Sequence, residues 1–313
     1  ENTASTSSSG VAAGVVLAFN TVGWQAQNIF SAAIDTLIGT DGLGQAQPAT
    51  SDAEISNTVL EVGEDLSLTA VSVPEINASI ENAVNSTGGA AVGLVLASNL
   101  VSANANTLLT PKSTTGTAQT PDIVFNIGGN VLAKSSDTAS IVARIGAAVG
   151  SEGAAAMGAQ LVRNDVRSTV LTLVDSAFLD AGGDITLLAR GSASIKALLT
   201  DQKLPPLDGS EETTDPAAEG PADAAAAEEP AADAASASMA LKGLIATNLV
   251  LSDVRVTVLD SDLHAGGDLS MLARNAANID AENSAKADAS GAAVGVTLAF
   301  NTIGWKAQNV LFN

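Results

Sequence analysis

Four glycine-bearing turns hold the residues best suited to chemistry. Gly-Gly-Asp stands at residues 182–184 and again at 266–268, Gly-Gly-Asn at 128–130, and Gly-Glu-Asp at 63–65. Tandem GGxGxD turns bind calcium when the Asp of one turn and the carbonyls of the next close a shell of oxygens. Asp184 and Asp268 are therefore calcium candidates, and Asp41, in the oxygen-rich turn GTDGLG, is a third. Yet the turns occur singly, and even the closest pair, at Asn130 and Asp184, is separated by a long stretch of other sequence. That spacing favours a structural turn, in which the glycines supply positive φ and the Asp caps the next strand. No cofactor is expected, and calcium is the one ion such turns would take.

Other reactive types are scarce. There is no Cys and a single His, so thiol catalysis and Cys/His zinc sites are excluded. His264 occupies the position held by Asp180 one repeat earlier, which marks a variable surface site rather than a catalytic base. Arg190 and Arg274 each follow their Asp by six residues and so project from one face, as they would in β-helix enzymes that act on acidic polysaccharides. No acidic triplet at strand spacing accompanies them, so they read as surface residues and the chain as a non-enzyme. With 13 Lys and Arg against 34 Asp and Glu, the net charge of −21 gives no general attraction for nucleic acid. No apolar run is long enough for a membrane-spanning helix, so no membrane insertion is expected in this segment.

What positions these residues is repetition. The opening ENTASTSSSGVAAGVVLAFNTVGWQAQN returns as ENSAKADASGAAVGVTLAFNTIGWKAQN, with Glu1 answering to Glu282 and Trp24 to Trp305, a spacing of 281. Within it lies a unit of about 54 residues, enlarged by insertions. Eleven residues after each anchor stand Ile76, Ile141, Ile195 and Ile279. A second anchor ends in Asn20, Asn99, Asn164, Asn248 and Asn301. The isoleucines are expected to form a buried axial file, and the asparagines a stacked amide ladder.

The unit alternates apolar and polar residues, as in DVRVTVLDS, and is bounded by Gly-Gly or Asp-Ser turns. Five or six short strands fit in it, with no room for crossover helices. Only a β-solenoid joins so many strands by short turns while keeping equivalent positions in register. Rungs of about 18 or about 27 residues would place about eight to twelve of them in the 281-residue unit, an axial repeat on the order of 40–60 Å.

Residues 1–200 and 237–313 therefore read as β-solenoid, interrupted by two insertions. One, at about 22–50, carries Trp24, Ile29, Phe30, Ala33, Ile34, Leu37 and Ile38 at helical spacing, the pattern of a short amphipathic lid. The other, residues 201–236, holds five of the nine prolines and ten of the 34 acidic residues, the composition of a disordered, self-repelling loop.

SDLHAGGDLSMLARNAANIDA and ASGAAVGVTLAFNTI resemble repeats of giant secreted bacterial surface proteins, the filamentous-haemagglutinin-like adhesins. That resemblance implies an all-β, right-handed parallel β-helix, export to the cell surface or biofilm matrix, and a structural or adhesive role. The reading is a non-enzymatic extracellular repeat segment of a filament or surface stalk. Its partner would be itself, by end-to-end continuation or stacking, since the chain starts inside one copy of the repeat and stops inside the next. The alternative is an adhesin module that binds a receptor, a glycan or a host cell surface. A polysaccharide-active β-helix enzyme ranks last.

Overall fold

A computed structural model describes residues 1–25, 46–56, 58–110, 124–202, 204 and 239–304. All their regular secondary structure is strand, and every strand pairs in parallel. The expected insertions fall mostly outside these residues, as do the amphipathic pattern up to Ile38, Asp41 and Trp305.

The strands fall into five successive layers. The first holds β1 (Asn2–Ser8), β2 (Ala12–Val22), β3 (Ala49–Ser56) and β4 (Leu60–Val62). The second holds β5 (Leu66–Ser72), β6 (Glu75–Ser86), β7 (Ala90–Thr110) and β8 (Val124–Ile127). The third holds β9 (Val131–Asp137), β10 (Ser140–Ser151), β11 (Ala155–Asp175) and β12 (Phe178–Ala181). The fourth holds β13 (Ile185–Thr200), β14 (Met239–Leu259) and β15 (Asp262–Ala265), and the fifth β16 (Leu269–Ser284) and β17 (Ala292–Ile303).

The first four layers each contribute to three sheets, and the fifth to the first two. The first sheet joins β1, β5, β6, β9, β10, β13 and β16; the second joins β2, β3, β7, β11, β14 and β17; the third joins β4, β8, β12 and β15. Ile141 and Ile195, one repeat unit apart, are direct partners. The repeat unit therefore completes one whole layer, not two or three rungs of about 18 or about 27 residues each. From Asn20 to Asn301 there are four layer steps. At about 4.8 Å each, the 281-residue unit rises about 19 Å, and the 40–60 Å expectation is corrected.

The difference lies in strand length. Strands β7 and β11 each run 21 residues, where the sequence suggests several short ones. Gly14, Gly93 and Gly158 look like turn residues but face inward in mid-strand. A Cβ on Gly14 would lie 2.6 Å from Val84 Cγ2 and 2.9 Å from Asn82 Oδ1, and one on Gly93 would lie 2.5 Å from Val149 Cγ2. Glycine is present because the facing sheet fills its space.

Alternation sets the core. Between the first and second sheets lie Ile80, Ile145, Val95, Val166 and Leu199. A second cluster, around Phe125, Leu179, Ile185 and Leu187, fills the angle with the third sheet. Thr107, Ser135 and Thr172, all fully buried, sit between them. Ser135 Oγ and Thr107 Oγ1 are 2.9 Å apart and Thr172 Oγ1 donates to Ser135 Oγ at 3.0 Å, with backbone carbonyls taking the remaining protons.

Candidate functional site

The most ordered constellation is the asparagine row. Asn20 donates its amide to Asn99 Oδ1 at 2.8 Å, Asn99 to Asn164 at 2.8 Å, Asn164 to Asn248 at 2.7 Å, and Asn248 to Asn301 at 2.8 Å. All four bonds point the same way along the stack. Asn99, Asn164 and Asn248 are fully buried among alanines and valines. Burial raises both the strength of such a chain and the cost of any gap in it.

Across the interior, Ile76, Ile141, Ile195 and Ile279 stand in direct register. The first three are buried, and Ile279, in the outermost layer, packs partly exposed against the same cluster.

At the corner before the first sheet, the acidic anchors form a third row. Asp65 Oδ1 accepts from Asn130 N at 2.7 Å, Asn130 Oδ1 from Asp184 N at 2.9 Å, and Asp184 Oδ1 from Asp268 N at 2.7 Å. Each side chain thus caps the strand start of the next layer. The glycines beside them do not take positive φ; that expectation is corrected. Only Gly23 and Gly304 do so among the described glycines. Crowding accounts for the pattern instead. A Cβ on Gly183 would lie 2.4 Å from Asn130 Oδ1, one on Gly267 2.1 Å from Asp184 Oδ1, and one on Gly182 2.4 Å from Gly128 O. Left-handed backbone appears at a different corner, at Ser176 and Asp260.

Asp184 and Asp268 are thus placed in a capping row, one layer apart. Among the described residues, no three acidic or histidine side chains gather as a metal site. Arg190 and Arg274 are stacked in register and exposed. His264 pairs in register with Asp180, is exposed, and its ring lies 5.3 Å from that of Phe178.

Three charged groups inside or beside the core escape sequence reasoning. Asp137 is buried in the first sheet and accepts from Ser168 Oγ at 2.5 Å, while its Oδ1 has no partner among the described residues. Desolvation pushes its carboxyl above the usual range, against the opposing pull of bonds from Ser168, Ser72 and the Ala139 amide. Asp201 accepts from Lys242 Nζ at 2.9 Å and from Lys286 N at 2.7 Å, with Lys242 standing where other layers have Gly93, Gly158 and Gly295. This ion pair ties Asp201, the first residue of the 201–236 insertion, to the strand that follows the insertion. Asp165, on the outer face of the second sheet yet fully buried, binds Arg163 at 2.8 Å and Arg167 at 2.9 Å. The Arg167 guanidinium lies 4.9 Å from the Trp24 ring centroid. The signal for these groups is a charge set in an apolar strand, as in AQLVRNDVRST. Its meaning depends on which chain segment lies over it, which local sequence does not tell.

Comparison with family models, with curated proteins and with solved structures finds no match.

Proposed function

We propose that this chain is a repeat segment of an extracellular structural filament or surface stalk, coiled as a right-handed parallel β-helix of the filamentous-haemagglutinin-like kind. The observation that carries the reading is the one-way amide row, in which Asn20 and Asn301 stand four layers apart at equivalent positions of the 281-residue repeat. A unit whose interior bonds all run along one axis adds its next copy without changing any contact. Parallel pairing of equivalent residues in all three sheets supports the same geometry. The ladders do mechanical work in this reading: they hold layers in register against shear. Absence of cysteine suits an exported chain that relies on stacking rather than disulfides.

The test is diffraction from oriented native material, or averaged images of it. A tandem chain is expected to give an axial repeat of about 19 Å, four layers of about 4.8 Å. A monodisperse particle with no axial repeat overturns the filament and favours the adhesin module.

A further inference from the structure

The second sheet is apolar on its outer face along its first half, and on its inner face apart from Gln160 and Lys242. Its inner face meets the core. Its outer face carries Val15, Leu17, Leu94, Leu241, Val294 and Val296, one or two in each layer except the third, where Met157, Ala159 and Leu161 fill the positions. No charged residue interrupts this field, in a chain whose net charge is −21. Val15 is 62% exposed, Leu94 39% and Leu241 46%. Parallel sheets with near-continuous apolar strands are normally covered on both sides, because only a covered face has reason to be apolar. Here, among the described residues, the outer face of this half has no cover.

We propose that a second copy of this chain covers it, sheet against sheet. Five strands at about 4.8 Å and four outward positions at about 6.7 Å make a field on the order of 600 Å². A pair would bury about 1,200 Å² in total, the lower end of stable specific interfaces, and a patch of about 600 Å² is at the top of the range for a lone protein, where such patches are often functional. The occupant must match a surface with a side-chain column every layer. A second stack of the same layers has that period by construction, and a twofold axis makes the patch its own complement. An anionic membrane is a poor occupant, since Glu152 and Asp288 lie just before β11 and β17 at one end of the field and the whole chain repels it. Repulsion between two such acidic copies also opposes pairing, so salt should strengthen it.

This pairing is lateral and does not depend on end-to-end growth. The chain has no cysteine, so one introduced thiol reports contact cleanly. Ala159→Cys lies near the centre of the field, and Ser192→Cys, on the outward side of the first sheet, is the control. Under mild oxidation of the 313-residue chain, Ala159→Cys is expected to form disulfide dimers at least tenfold faster than Ser192→Cys. Sedimentation should give a closed dimer that tightens between 0.05 and 1 M salt, roughly in line with charge screening. Leu94→Glu with Leu241→Glu should weaken that dimer at least a hundredfold while leaving the thermal unfolding transition in place. Equal cross-linking of the two thiols overturns the proposal, as does capture by neutral phosphatidylcholine vesicles without pairing. Open-ended oligomers that leave Ala159→Cys uncross-linked would reject lateral pairing while sparing the filament; closed cross-linked dimers with no axial growth would do the reverse.

Discussion

The asparagine row and the isoleucine file face each other across one interior and repeat at the same interval, but they specify different things. The isoleucines bury area without direction. Ile141 has Ala143 and Ile145 as its next inward neighbours, so a four-residue slip of β13 would restore an isoleucine stack. The asparagines allow no such slip. Inward of β7, Asn99 is flanked by Ala97 and Val101, and moving β11 by two residues would set the Asn164 amide against one of them. A buried amide without its partner loses on the order of 1–3 kcal/mol. Apolar stacking therefore supplies the cohesion, and the amide row fixes register and axial direction.

Breaking the cohesive side should have the largest effect. Ile195→Asp places a carboxylate between Ile141 and Ile279, in a file that holds only apolar side chains. We expect a loss of about 4 kcal/mol or more, measured by urea unfolding, because an unpaired buried charge is among the costliest single changes. A loss under about 1 kcal/mol would mean that the file is not a closed interior.

Asn164→Val tests the specifying side. It keeps the volume apolar but orphans the amide of Asn99 and the carbonyl of Asn248. The expected cost is about 2–3 kcal/mol, two unsatisfied groups partly offset by apolar burial. Hydrogen exchange should quicken along β7, β11 and β14 together, since the break reaches both neighbouring layers. The companion Ile195→Val should cost only about 1 kcal/mol and leave exchange in those strands unchanged.

Much of this is legible in the sequence because a stack repeats its own evidence. Ile76, Ile141, Ile195 and Ile279 are found by counting from an anchor, and pairing then puts them in one line. Layer length is not legible in the same way, because Gly93 and Gly158 resemble turns although their space is filled by a side chain of the facing sheet. The glycines at 182 and 183 mislead for the same reason: stacked backbones exclude a Cβ, and that contact comes from the preceding repeat unit. Asp137, Asp165 and Asp201 are invisible because none of them repeats. Each belongs to one layer, and periodicity has nothing to say about it.

Asp137 gives the smallest and sharpest test of the contrast, since it is an inward polar group without a row. Its register neighbours are Ser72, Gly191 and Asn275, so no identical side chain stands above or below it. Burial raises its carboxyl above the usual range, and one oxygen has no partner among the described residues. The sign follows from proton binding. Well below the ordinary Asp range, folded and unfolded chains both hold the proton, and no penalty exists. As pH rises, the unfolded chain releases its proton first, and stability falls until the folded carboxyl ionises too. Above that raised value the loss is complete and constant. Asp137→Asn keeps the shape and the acceptor for Ser168 but cannot ionise. We expect it to be more stable than the native chain at pH 7, by on the order of 1 kcal/mol, the size of an ordinary substitution. The advantage should shrink to nothing as pH falls through the ordinary carboxylate range. Paired urea titrations at several pH values measure the difference directly. A constant difference, or one that grows toward low pH, would show that Asp137 is paired as well as the asparagines are, and the distinction between rowed and unrowed polar groups would fall.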